Sequence, residues 1–153
     1  MSGFHVERSG EGTRLSLPDA VVTVLSSGGH TEGAYELMLV QAPPGEPPPM
    51  HTEPWAKTFH LLRGRIRVRV GSASCDLGPG DSLTVAPGTA NSFSVLTAEA
   101  VFLLAAAGTG MSGFFTDLDG LLREQHSSAD LSSRLVSLAG RHEIRFTGGS
   151  RSP

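Results

Sequence analysis

The sequence predicts a mainly-β sandwich or barrel followed by a helical flank, and three observations carry that reading. The 19 glycines and 10 prolines among 153 residues favour many short strands joined by turns over a helical bundle. Apolar β-formers arrive in short bursts bounded by Gly, Pro, Ser or Asn, at the spacing of roughly 8 to 12 residues that marks sandwiches and barrels. Beyond Gly113 the period changes: Phe114, Phe115, Leu118, Leu121 and Leu122 recur at helical spacing, as do Leu131, Leu135, Leu138 and Ala139.

In chain order, residues 1–12 are polar and Gly-rich and read as a flexible terminus. The bursts fall at 20–25, 34–41, 58–62, 65–70, 72–77, 82–85, 92–96 and 100–106, within a barrel domain assigned to 13–110. The run from Arg65 to Val70 alternates most cleanly: Ile66, Val68 and Val70 point one way and Arg65, Arg67 and Arg69 the other. Its arginines are read as a solvated outer face that discourages edge pairing. Gly78-Pro79-Gly80-Asp81 and Ala86-Pro87-Gly88-Thr89 are turns. Residues 111–147 form the helical flank, with Ser128 or Asp130 as the N-cap of its second helix, Gly140 as its stop and a short strand at 143–147. Residues 148–153 read as a disordered tail.

Composition bounds the function. With 39% hydrophobic residues the chain can bury a core, and a net charge of −3 gives no global pull toward nucleic acid or anionic lipid. No helix-turn-helix pattern precedes the barrel. One cysteine, Cys75, leaves no intrachain disulfide and no Cys-rich zinc site. The longest apolar run is far short of the roughly 20 residues that span a bilayer, and the start lacks a secretory pattern. The expectation is a cytoplasmic protein without membrane or nucleic-acid partners.

Two segments carry a family resemblance. Gly45 is followed by five residues, then His51-Thr52-Glu53, then three residues to Lys57, then six to Gly64. Gly80 is followed by five residues, then Ala86-Pro87-Gly88, then two to Asn91. Both blocks resemble the paired motifs of the cupin family. The resemblance implies a double-stranded β-helix of jelly-roll type, and with the C-terminal flank it is similar to small bacterial quercetin-dioxygenase-like cupins. It also implies a homodimer.

In metal-binding cupins this frame presents three histidines and a glutamate. Carried over by position, those slots hold His51, Glu53, Lys57 and Asn91, of which only His51 is unchanged. His51 and Glu53 are the ligands if a metal is bound. Lys57 departs most, because an ammonium has no lone pair and brings positive charge to the place of a cation. The expectation is therefore a site with neither metal nor cofactor, in which Lys57 pairs with Glu53. Alternation puts Phe59 on the face of Lys57 and Phe93 on the face of Asn91; Trp55, at the barrel mouth, and Tyr35 join them as substrate-binding candidates. The phase of the 34–41 strand stays open between Tyr35, Leu37 and Leu39 and Glu36, Met38 and Val40. His60 is expected to point outside the pocket.

These residues suggest an enzyme of the cyclase, isomerase or lyase type working on a largely apolar small molecule, such as a natural-product intermediate. Glu53 or His51 is the base, Lys57 the electrostatic stabiliser or acid, and Asn91 the orienting amide. A metal-dependent dioxygenase-like cupin and a non-catalytic ligand-binding cupin are the alternatives.

Overall fold

A computed structural model describes residues 3–124 and 126–147. The tail expected at 148–153 lies outside the described residues, as do the first two residues of the expected N-terminal segment.

Among the described residues eleven strands and two helices follow one another: β1 (Thr13–Leu17), β2 (Ala20–Ser26), β3 (Tyr35–Ala42), β4 (His51–Thr52), β5 (Lys57–Arg63), β6 (Ile66–Val70), β7 (Ala73–Leu77), β8 (Ser82–Val85), β9 (Asn91–Val95), β10 (Ala100–Ala107), α1 (Gly110–Arg123), α2 (Ser128–Arg141) and β11 (Arg145–Phe146). They form two antiparallel sheets, ordered β1-β2-β3-β10-β5-β8 and β11-β4-β9-β6-β7. This is the mainly-β, two-sheet arrangement expected from the turn spacing, in the jelly-roll form that the resemblance implies. β1 and β4 had no counterpart among the bursts, since Thr13–Leu17 carries only two apolar residues and β4 only His51 and Thr52.

Period-2 patterning fills the space between the sheets. Ile66 and Val68 are fully buried while Arg65, Arg67 and Arg69 face outward, where Arg67 forms a two-bonded pair with Asp76 on β7. On β3 the inward set is Glu36, Met38, Val40 and Ala42, which fixes the phase the sequence left open. Phe59, Phe93 and Phe102, from β5, β9 and β10, meet edge-on or tilted at centroid distances of 6.1, 5.6 and 5.5 Å. Gly64 turns β5 into β6 with φ of 78°, and a Cβ there would run into the Glu99 carbonyl, so only glycine fits this motif position.

The helices lie on the barrel and are tied to it by polar contacts. Buried Glu36 accepts from the Ser112 N–H in the first turn of α1 at 2.9 Å, from the Ser112 hydroxyl, and from the Gly28 N–H at 3.0 Å. Asp119 on α1 accepts from the Ser16 N–H of β1 at 2.9 Å. Two helix-end expectations are corrected. Ser127, rather than Ser128 or Asp130, caps α2, its hydroxyl accepting from the Asp130 N–H. The helix runs past Gly140 to Arg141, and the left-handed residue after it is Glu143, at φ 61°. No helix among the described residues is long and apolar enough to cross a membrane.

Candidate functional site

Strand register brings the motif residues together from both sheets. In the five-stranded sheet His51 on β4 sits between Asn91 on β9 and Phe146 on β11. Lys57 opens β5 of the other sheet, between Ala106 and Val85, and alternation turns it inward with Phe59 and Leu61. Glu53 lies on the connection between them. Its carbonyl accepts from the Gly88 N–H at 2.8 Å, so the turn containing Pro87 and Gly88 clamps the residue that crosses the gap.

Glu53 is the hub. The Lys57 ammonium reaches its two carboxylate oxygens at 2.8 and 2.9 Å, and the Asn91 amide N–H donates to it at 3.1 Å. His51 Nε2 stands 3.6 Å from the same carboxylate. Burial alone would raise the Glu53 pKa; the His51 ring and the Lys57 ammonium overcome it and hold the carboxyl down at about 2. Burial pushes the Lys57 pKa below its ordinary value, with Glu53 resisting. The ammonium also lies 5.4 Å from the centroid of the Phe59 ring.

Two orientations matter for chemistry. His51 Nδ1 lies 2.9 Å from the Pro49 carbonyl, which takes its proton in a hydrogen bond and leaves Nε2 as the lone-pair nitrogen of the neutral ring. Asn91 Nδ2 also donates to the Thr89 carbonyl at 3.0 Å, which leaves Oδ1 as a buried acceptor without a partner among the described residues.

The cluster forms the polar floor of a cavity of about 580 Å³. Phe59, Phe93, Phe102, Val40 and Leu104 line it from the barrel, and Met111, Phe114, Leu118, Leu135, Ile144 and Phe146 from the flank. An apolar chamber with a few convergent polar groups is the usual form of a small-molecule site.

His51, Glu53, Lys57, Asn91, Phe59 and Phe93 all reach this cavity; Tyr35 and Trp55 do not. Tyr35 belongs to the outward phase of β3 and is 49% exposed. Trp55 is buried beneath the start of α1, where a Cβ on Gly110 would come within 2.6 Å of the indole. His60 bonds Ser82 on the outer face of the sheet, 2.6 Å away. Sequence reasoning missed Asp19, which also lines the cavity, because Pro18-Asp19 reads as an ordinary solvated turn. Glu36, left open as one of the two phases of its strand, turns inward but bonds Gly28 and Ser112 rather than lining the cavity.

The frame raises the question of a metal, and the donor set does not fit one. A divalent first-row ion needs several lone-pair donors converging on one point. Here Lys57 already occupies both oxygens of Glu53, and Asn91 turns its N–H toward the cluster, leaving one imidazole nitrogen.

Fold, frame and site agree with the cupin fold, and residues 38–106 match the family model "Cupin domain". No curated protein matches the chain. Among solved structures it is similar to an RmlC-like cupin from Shewanella frigidimarina (13% identity over 71% of this chain and 95% of that one, TM-score 0.63). It is also similar to KdgF from Halomonas sp. (12% identity, 68% and 93%, TM-score 0.61) and to a Bacillus subtilis oxalate decarboxylase variant (17% identity, 74% and 33%, TM-score 0.59). At these identities the likeness is one of fold.

Proposed function

We propose that this cupin-fold protein is a metal-independent acid–base enzyme acting on a largely apolar small molecule, by cyclisation, isomerisation or dehydration. The observation that carries this reading is the Lys57 ammonium bonded to both Glu53 oxygens on the cavity floor, where the frame would put an ion. A carboxyl held at about 2 is a weak base, so of the two candidates His51 takes the part. Its Nε2 lone pair removes a proton from carbon, and Glu53, 3.6 Å away, steadies the imidazolium that forms. Lys57 supplies positive charge for a developing enolate, its acidity raised by burial. Asn91 orients Glu53. The aromatic walls suit a flat, unsaturated skeleton such as occurs in natural-product intermediates.

The test uses a carbon acid rather than the unknown substrate. Exchange of the α-protons of 2-tetralone in D2O is followed by proton NMR with the protein, without added metal. The wild type is expected to accelerate exchange, and His51→Gln and Lys57→Met to lose that acceleration while keeping the fold by circular dichroism. Acceleration that persists in both variants, or that appears only with added Fe(II), overturns the proposal. Tight binding of the ketone with no exchange would mark the alternative of a binding module.

A further inference from the structure

We propose that Asp19 is a second proton-transferring group of this cavity, a carboxylic acid that donates to a carbonyl or hydroxyl oxygen of the ligand. The inference rests on the acid–base reading of the cavity and extends it to the turn that joins β1 and β2.

Three features of the chain support it. Asp19 lines the same chamber as His51, Glu53 and Lys57, although it comes from a turn far from them in sequence. The turn is braced on both sides: β1 and β2 pair without a break from Leu17 and Ala20 outward, and α1 grips β1 through Asp119 and the Ser16 N–H. Among the described residues the Asp19 carboxyl has no side-chain hydrogen-bond partner, in contrast to Glu53 with its three neighbours. Glu46 also lines the chamber, but from the exposed 43–47 stretch, so Asp19 is the sheltered carboxyl there with bonding capacity left for a ligand.

The environments of the two carboxyls differ in the direction this division of labour requires. Burial raises the Asp19 pKa, opposed by its own backbone N–H and by the charge of His51, the one ionisable side chain that acts on it appreciably. Glu53 is driven down to about 2. Two carboxyls pushed apart in this way sort into a proton donor and a permanent anion.

Paired with His51, such a donor suits dehydration of a β-hydroxy carbonyl compound. His51 Nε2 takes the α-proton, and the C–H electron pair becomes the new C=C bond. The C–O bond of the β-hydroxyl breaks toward oxygen, and the Asp19 proton completes the departing water. His51 is left protonated and Asp19 ionised, and return of one proton from imidazolium to carboxylate through that water restores both groups. No oxidant or co-reactant enters. The substrate class this implies is an aromatic or polyunsaturated β-hydroxy ketone.

The experiment uses the fluorescent naphthyl ketone Prodan, whose carbonyl accepts hydrogen bonds and whose neutrality makes it insensitive to the charge on His51. Its affinity for the intact chain is measured from about pH 4 to about pH 8, and is expected to fall about tenfold as Asp19 ionises and stops donating. Asp19→Asn, on a surface turn, keeps the fold and is expected to bind with no such fall. Binding whose pH dependence is the same in wild type and variant, or absent from both, overturns the role of Asp19 and leaves the cavity as a ligand site. Failure of Prodan to bind either protein removes the cavity reading and this proposal with it.

Discussion

Lys57→Met replaces a buried ammonium by an apolar side chain of similar length and leaves Glu53 without its cation. Lys57 and Glu53 are 7% and 8% exposed, so water cannot take over the ammonium's place. Asn91 at 3.1 Å and His51 at 3.6 Å remain, but neither carries a permanent positive charge. Removing one partner of such a pair costs about 3–5 kcal/mol. For a chain of this size that lowers Tm by about 6–20 °C. The buried ammonium has a desolvation cost of its own, which methionine abolishes, and this places the expectation toward the lower end.

The pH dependence gives the sharper readout. In the wild type Glu53 is depressed from 4.5 to about 2, so its contribution is present above its unfolded pKa and is lost as pH falls between those values. In the variant only the His51 ring is left to oppose burial, and the folded pKa rises from about 2. Relative to the wild type the penalty is then absent at low pH and grows as pH rises toward the new pKa. Urea denaturation at about pH 4 and about pH 7 compares the two. The difference in stability between wild type and variant should be large at neutral pH and shrink in acid, and Glu53→Gln added to Lys57→Met should recover part of the loss. A variant that loses less than about 1 kcal/mol at neutral pH, with the acid dependence of the wild type, would mean the pair is a solvated surface contact and refute the reasoning.

Three other perturbations probe the scaffold and the donor set. Glu36→Ala strips the Ser112 and Gly28 donors of their acceptor and is expected to cost about 2–3 kcal/mol, with faster amide exchange at both positions by NMR. Gly110→Ala sets a methyl against the Trp55 ring and is expected to cost about 1–3 kcal/mol in urea, with a shift in the emission of the single tryptophan. Dialysis against Fe(II) or Ni(II), then elemental analysis, is expected to leave well under one equivalent bound; a stoichiometric metal lost in His51→Gln would contradict the fit argued from Lys57.

The parts of the fold that were legible are those where one local signal dominates. The Arg65 to Val70 alternation settles its strand without help from elsewhere, because one face is charged and the other branched and apolar. The 34–41 strand was not legible in that way. Leu37 and Leu39 compete with Met38 and Val40, and Glu36 argues for the wrong phase until Ser112 and Gly28, distant in sequence or in another loop, are seen to satisfy it. Tyr35 was misplaced for the same reason, and Trp55 because its partner is the start of α1, which approaches only because Gly110 has no side chain. The frame of glycines and polar slots put His51, Glu53, Lys57 and Asn91 on one list. Nothing in it pointed to Asp19, whose inclusion depends on a hairpin tip reaching over the chamber.

The part of the chamber wall built by Met111, Phe114, Leu118, Leu135, Ile144 and Phe146 lies beyond the stretch that matches the family model. Two proteins could agree at every position from Gly45 to Asn91 and still accept guests of different shape, since the contour of the roof is encoded later in the chain. Phe146 makes the link tighter still, pairing directly opposite His51. The roof and the His51 position are thus joined through one strand pairing, so a substitution at Phe146 is made beside the polar cluster as well as in the wall.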